Sequence, residues 1–229
     1  MKNQVRSIDL NQLAKLAKTA FKEESPQDLA FMFATGKSEG YLRDVLGAFL
    51  NKHLDLETFE HVTREWKKHD LSIMDGNTPL LIIEGKSWIS HDAYRLSKLL
   101  TDKKSIFNGS YSDALKLIET KKKFPYARLF ISTVTYGVDV DQVIDYKKYN
   151  ITYADSHARG IFSAGTFYKL VETARGNATL FHLEFGTTLS FPLEVGTYHG
   201  MQIKADFYLT EIETAPKRSL SSEIRRVIH

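Results

Sequence analysis

Three side chains within one short stretch have the types and the spacing for chemistry. Asp70, Glu84 and Lys86 all fall in Lys68–Trp88, KHDLSIMDGNTPLLIIEGKSW. The stretch reads as two strands joined by a turn, with Asp70 at the start of the first and Glu84 and Lys86 near the end of the second. Side chains alternate faces along a strand, so Glu84 and Lys86 share a side and Gly85 takes the other. A hairpin then brings two carboxylates and an amine to one end. Hard divalent cations such as Mg²⁺ take oxygen ligands, commonly one or two carboxylates with water and phosphate completing the shell. A lysine beside such a site can orient a water or donate to a phosphoryl oxygen. The sequence leaves both roles open for Lys86.

The elements that position these groups follow from periodicity. The turn is carried by Asp75-Gly76-Asn77 and closed by Pro79; Asp75 therefore competes with Asp70 as the second acid, and its turn role favours Asp70. Leu80, Leu81, Ile82 and Ile83 form an unbroken apolar run, the pattern of a strand covered on both faces. Ahead of the hairpin, a helix over residues 9–22 has Asp9 as its N-cap, and PQDLAFMFA forms a short segment ending near Thr35-Gly36. The next helix starts at about Lys37 or Ser38 and carries an apolar stripe from Tyr41 to Leu50, with Glu39 and Arg43 as i, i+4 neighbours. Residues 58–66 read as a first strand. After Trp88, SHDAYRLSKLL reads as a helix capped by Ser90, and YSDALKLIETKKKF as another starting at Ser112. ARLFISTVTYG, residues 127–137, is a second buried strand, and a short helix begins near Asp139. This order points to an α/β core.

Beyond about Asn150 the expectation is a helix over Gly165–Ala174, then strand-like alternation through TLFHLEF to a last strand at Met201–Ile212. In that strand Met201, Ile203, Ala205, Phe207 and Leu209 share a face. The tail PKRSLSSEIRRVIH reads as a short basic helix or a disordered end.

Composition narrows the classes. With 229 residues and 42% hydrophobic content, the chain can bury the core of a single domain spanning residues 1–229. There is no cysteine, hence no disulfide framework and no thiolate zinc site. The eight histidines show no close H-x-x-x-H pairing, and His69 reads as a plain polar residue. Walker-type and G-x-G-x-x-G loops are absent, as is a G-x-S-x-G elbow. No signal-peptide core or membrane-spanning run is present, so a soluble cytoplasmic protein is expected. Net charge is only +3, but basic pairs or runs recur at Lys67-Lys68, Lys103-Lys104, Lys121-Lys122-Lys123, Lys147-Lys148 and Arg225-Arg226. Lining one cleft, they would neutralise phosphates.

Asp70 followed by Glu84-Gly85-Lys86 at the end of a hydrophobic strand resembles the signature of PD-(D/E)XK nucleases, the superfamily of type II restriction endonucleases and Holliday junction resolvases. Gly36-Lys37-Ser38-Glu39, with Arg43 following, resembles the first core helix of many members. His69 stands where the signature has proline, and Gly85 where a larger apolar residue is more usual. The resemblance covers about residues 36–137. It implies a restriction-endonuclease-like α/β fold: a central mixed β-sheet flanked by α-helices, its core at about 36–150, with a β-rich C-terminal extension at about 151–213 for specificity or dimerisation. It further implies Asp70, Glu84 and Glu39 as metal ligands, Lys86 as the catalytic lysine, Mg²⁺ as cofactor with Mn²⁺ as a substitute, and a homodimer cutting double-stranded DNA. The bland readings remain beside it. Asp70 and Glu84 would end strands at the solvent boundary with Lys86 in an exposed pair worth ~1 kcal/mol or less, and Glu39 would merely pair with Arg43. On function, the alternatives are an inactive nuclease-like module that holds nucleic acid or protein, and a hydrolase of small phosphoesters.

Overall fold

The computed structural model describes residues 8–35, 38–89, 106–139 and 164–213. Helix α1, Leu10–Glu23, begins with a reciprocal cap: Asp9 Oδ1 accepts from the Gln12 N–H and Gln12 Oε1 accepts from the Asp9 N–H, both at 2.8 Å. Two otherwise orphaned donors are thereby satisfied at the helix start. Pro26, whose fixed φ suits a first helical position, opens α2, Pro26–Thr35, and α3 follows as Ser38–His53. Three antiparallel strands come next, β1 (Glu60–Trp66), β2 (His69–Asp75) and β3 (Thr78–Ile89). The β2–β3 turn needs Gly76, which takes φ +54°, a region that L side chains rarely enter. Helix α4, Ile106–Lys123, crosses over to β4, Arg128–Asp139. Helix α5, Ala164–Phe185, then leads into β5 (Thr188–Leu193), β6 (Thr197–Tyr198) and β7 (Met201–Glu211).

The strands form one mixed, open sheet in the order β1-β2-β3-β4-β7-β5, with β6 paired to β7. Among the described strands only β3 and β4 run parallel, with α4 in the connection that a parallel pair requires. Helices α1, α2 and α3 cover one face, where Leu13, Ala17, Phe33 and Leu50 meet Leu71, Ile73, Leu81, Ile83 and Leu209. Helices α4 and α5 cover the other, where Leu117, Phe181 and Phe185 meet Ile82, Trp88 and Ile131. The apolar run in β3 thus feeds two cores at once: Leu81 and Ile83 into the first, Ile82 into the second. Slipping β3 by one residue would drive Glu84 into the position of Ile83, so the sheet register is fixed by burial.

No helix among the described residues is long and apolar enough to cross a membrane. The α/β architecture is as expected from the order of elements, and so are α1 with its Asp9 cap, the hairpin and the shared face of β7, while the mixed sheet agrees with what the resemblance implies. Two expectations fail. Helix α4 starts at Ile106, six residues ahead of Ser112. TLFHLEF is not a strand: α5 continues through it to Phe185, because Ala174, Ala178, Phe181 and Phe185 recur at helical spacing and form one buried stripe. Residues 151–213 are therefore not uniformly β-rich. The helix ends just before Gly186, where a Cβ would stand 2.1 Å from the Glu211 carbonyl oxygen, so the close approach to β7 needs glycine. The helices expected at SHDAYRLSKLL and near Asp139 to Asn150, and the basic tail, lie outside the described residues.

His182 of α5 is fully buried, with Nε2 bonded to Thr133 Oγ1 and Nδ1 to Thr210 Oγ1, both at 2.6 Å. A neutral ring satisfies both contacts, one nitrogen donating and the other accepting. Burial pushes its pKa down from 6.5 to about 3. The unfolded chain therefore takes up a proton near pH 6.5 that the folded chain refuses until about pH 3, so stability is complete above that window and falls as the pH drops through it. We expect the stability advantage of the wild-type protein over His182→Gln, measured by urea denaturation, to be largest above pH 6.5. It should shrink by roughly 1 kcal/mol per pH unit below that.

Candidate active site

The site forms where β3 outruns β2. Pairing between these strands runs from Asp75↔Thr78 to Leu71↔Ile83, whereas β3 stays paired with β4 from Leu81↔Arg128 to Ile89↔Tyr136. From Glu84 onward one edge of β3 is released, and helices on opposite faces of the sheet approach it across the opening. The Lys86 ammonium bridges them: Nζ lies 3.4 Å from Glu39 Oε1 of α3 and 3.0 Å from Asp113 Oδ2 of α4. A hydrogen bond between the Ser38 and Ser87 hydroxyls ties the start of α3 to the same part of β3.

Asp70 sits at the head of the opening. Its Oδ2 accepts from the Gly85 N–H at 2.8 Å, and its Oδ1 lies 4.0 Å from the Arg43 guanidinium. A shallow cleft is bounded by Asp70, Glu39, Arg43, Gly85, Lys86 and Ser132 over an apolar floor that includes Leu46 and Phe207. Gly85 keeps this cleft open. A Cβ there would make ordinary contacts with Ser132 Oγ at 3.6 Å and Asp70 Oδ2 at 3.9 Å, so the glycine is not forced by crowding, but any longer side chain would project among these polar groups.

Glu84 faces differently. It is 2% exposed, does not line the cleft, and points toward α4, where Lys116 Nζ donates to Oε1 at 2.6 Å and the His69 Nδ1 proton meets the same oxygen. His69 is itself held by Thr120 Oγ1 at 3.1 Å from Nε2. Asp113, Lys116 and Thr120, at i, i+3 and i+7 on α4, thus present one polar stripe to the ends of β2 and β3.

The carboxylates of the site titrate apart. Burial alone would raise Glu84, but the hydrogen bonds from His69 and Lys116 outweigh it and hold its pKa below the usual carboxylate range. Asp70 is raised, first by burial and then by the Glu84 charge and the contact between the two carboxyls, with the Gly85 N–H opposing. Glu39 is raised by burial and by Asp70, against the pull of Lys86. Burial disfavours the Lys86 cation, yet Glu39, Asp113 and Asp70 more than compensate, and its pKa is pushed well above the usual lysine value. The cleft therefore combines a lysine that stays protonated with two carboxyls that resist losing their protons in the absence of further positive charge.

The sequence-derived residues come together in part. Asp70, Glu39 and Lys86 border one cleft; Glu84 adjoins Asp70 but turns away from the cleft. Among the described residues no three His, Cys, Asp or Glu side chains are grouped closely enough to hold a metal ion, so Glu39, Asp70 and Glu84 are not a preassembled ligand set. The donor chemistry still fits a hard cation of the Mg²⁺ kind, which needs only one or two carboxylates: Asp70 and Glu39 would hold it, and the positive charge would relieve the cause of both raised pKa values. His69 is not the plain polar residue expected but a buried partner of Glu84. Lys116 and Asp113 carried no signal except their common face on α4. No protein-family model matches the chain, and comparison with curated proteins and with solved structures likewise gives no match.

Removing one hydrogen-bond donor from a buried carboxylate typically costs roughly 1.5–3 kcal/mol. With Lys116 still in place, His69→Ala should lose about that much in urea denaturation. Adding Glu84→Gln should recover part of that loss, giving a strongly non-additive double-mutant cycle.

Proposed function

We propose that the cleft hydrolyses phosphodiester bonds of DNA, with Mg²⁺ as cofactor and Mn²⁺ as substitute, in the manner of the PD-(D/E)XK nucleases. The observation that carries this reading is the pairing, in one cleft, of the protonated Lys86 with the two charge-starved carboxyls of Asp70 and Glu39. The order of elements supports it as well: α3, the meander β1-β2-β3, the crossover helix α4 and β4 parallel to β3 agree with the mixed, helix-flanked sheet that the resemblance implies, with Asp70, Glu84 and Lys86 at the ends of β2 and β3. A homodimer follows if both strands of a duplex are cut, since two cuts related by a two-fold need two sites.

In this reading a bound Mg²⁺ supplies Lewis-acid polarisation of the phosphoryl oxygen and of the attacking water. The remaining work falls to the chain. Lys86, too strongly protonated to serve as a base, donates from its ammonium to a non-bridging phosphate oxygen, where negative charge grows as the water oxygen bonds to phosphorus and the ester oxygen departs. Glu39, bonded to that ammonium, fixes its direction and takes the proton of the water. Asp70, braced by the Gly85 N–H, presents its other oxygen to the cleft. Glu84 acts from behind, its anion adding to the burial that raises Asp70.

A second reading has its own observation. Glu84 is fully engaged by His69 and Lys116, and Lys86 by Glu39 and Asp113, the pattern of a nuclease-like module that binds without cutting.

Purified protein incubated with Mg²⁺ and a panel of plasmid DNA, RNA and a chromogenic phosphodiester separates these readings. We expect nicking or cleavage of plasmid that chelator abolishes, with Asp70→Asn, Glu84→Gln and Lys86→Met each slower by about 100-fold or more. Because the carboxyls must lose protons held above the ordinary range, the rate should rise with pH on the acid side, and Glu39→Gln should alter that limb. Chelator-sensitive turnover of the small ester with none of plasmid would assign a phosphoesterase instead. An inert protein under all these conditions would sink the enzymatic proposal.

A further inference from the structure

Two lysine runs separated by more than fifty residues meet at one end of the sheet. Lys67 and Lys68 are the two-residue tip of the β1–β2 hairpin, closed by the Trp66↔His69 pair. Both take positive φ, 49° and 67°. Hairpin tips of this kind are ordinarily built from asparagine and glycine, because a side chain is strained there. Here two exposed lysines occupy them. The second run, Lys121-Lys122-Lys123, closes α4, and Phe124 follows it at once. Trp66 and Phe124 lie against each other, ring centroids 5.6 Å apart, and the Lys67 ammonium sits over both rings at 4.7 and 5.4 Å. From the other side Lys116 donates to the Lys68 carbonyl, clamping the tip to α4.

Lysines in the last turn of a helix are expected from its dipole alone. That reasoning does not extend to the hairpin, where lysine works against the backbone. Lys121 is tied to the Ala127 carbonyl at 2.6 Å and Lys122 has Glu119 at 2.6 Å, but Lys67, Lys68, Lys122 and Lys123 all present their side chains to solvent. Beside them Tyr126 is 97% exposed, an aromatic ring that buries almost nothing. Clustered ammonium groups that track a phosphate backbone next to an uncovered aromatic ring make up the chemistry of single-stranded nucleic-acid binding, in which a base stacks on the ring. The patch adjoins the start of β2, where Asp70 follows Lys68 by two residues.

We infer that the β1–β2 tip and the C-terminal end of α4 form a docking surface for the backbone of nucleic acid at an unpaired segment, with Tyr126 as the stacking platform, feeding strand toward the Asp70–Lys86 cleft. This rests on the phosphodiesterase reading for its purpose and not for its test, because binding is measured without turnover.

Fluorescence anisotropy with a labelled single-stranded oligonucleotide and the corresponding duplex, in chelator, over a salt series provides that test. The single strand should bind more tightly, with affinity falling steeply as salt rises. Replacing Lys67, Lys68, Lys122 and Lys123 together by Gln should reduce the log–log salt slope by about 3, at roughly 0.7 for each lost phosphate contact. Tyr126→Ala should weaken single-strand binding by about 5-fold or more while leaving the slope unchanged. Circular dichroism confirms that both variants remain folded; these side chains are exposed, so folding should be retained. Unchanged affinity and slope in the Gln variant would overturn the proposal. So would equal, lysine-dependent binding to vesicles containing phosphatidylserine, which would mark a membrane surface. A protein that binds through the patch yet cuts nothing refutes the catalytic reading alone, and one that cuts with patch variants unaffected refutes the docking surface alone.

Discussion

A buried negative charge organises this protein. Glu84 lies in the central strand of the sheet with almost no access to water, and an unpaired carboxylate there would cost several kcal/mol. Its neutralisation draws on three separate parts of the chain: the end of β2 through His69, the middle of α4 through Lys116, and Asp70, whose own proton affinity it raises. The position of α4 against the sheet and the end point of β2 answer to the same demand. Asp70 is raised by its burial and by that charge, Glu39 by its own burial and by Asp70, and Lys86 is held protonated by the acids that surround it. The polar end of β3 is one coupled network built around one ion.

What makes the network accessible is a difference in strand length. Had β2 continued alongside β3, its backbone would have closed the released edge, and Lys86 could not reach helices on both faces. The early end of β2 opens a seam in the sheet while β4 keeps β3 straight on the other side. Gly85 leaves the floor of that seam uncovered. Rigidity and access are thereby supplied by opposite edges of the same strand.

Much of this was legible in the sequence wherever local pattern and burial agree. The unbroken Leu80–Ile83 run, the Asp75-Gly76-Asn77 turn and the Asp9 cap each have one physical interpretation, and the chain adopts it. TLFHLEF was ambiguous because its apolar residues satisfy a two-residue period as well as a helical one, and the arbiter, a buried stripe beginning upstream at Ala174, extends beyond any strand-length window. At the site, the acids and the lysine could be found because their types are few and their spacing is local. The role of His69 could not, since strand alternation says nothing of a residue just beyond the last ladder pair. Lys116 and Asp113 were invisible for a different reason: on a helix rich in lysine, only the fold distinguishes the cation that reaches Glu84.

The position of β7 has a consequence for how the molecule is made. This late strand lies between β4 and β5 inside the sheet, and its Phe207 ring packs 5.2 Å from Phe21 of the first helix. On a ribosome, α1 emerges nearly two hundred residues before the strand it must lie on. The apolar faces of α1, β3 and β4 therefore stay partly uncovered until β7 has emerged, and the nascent chain has more need of a holding chaperone than its final compactness would indicate.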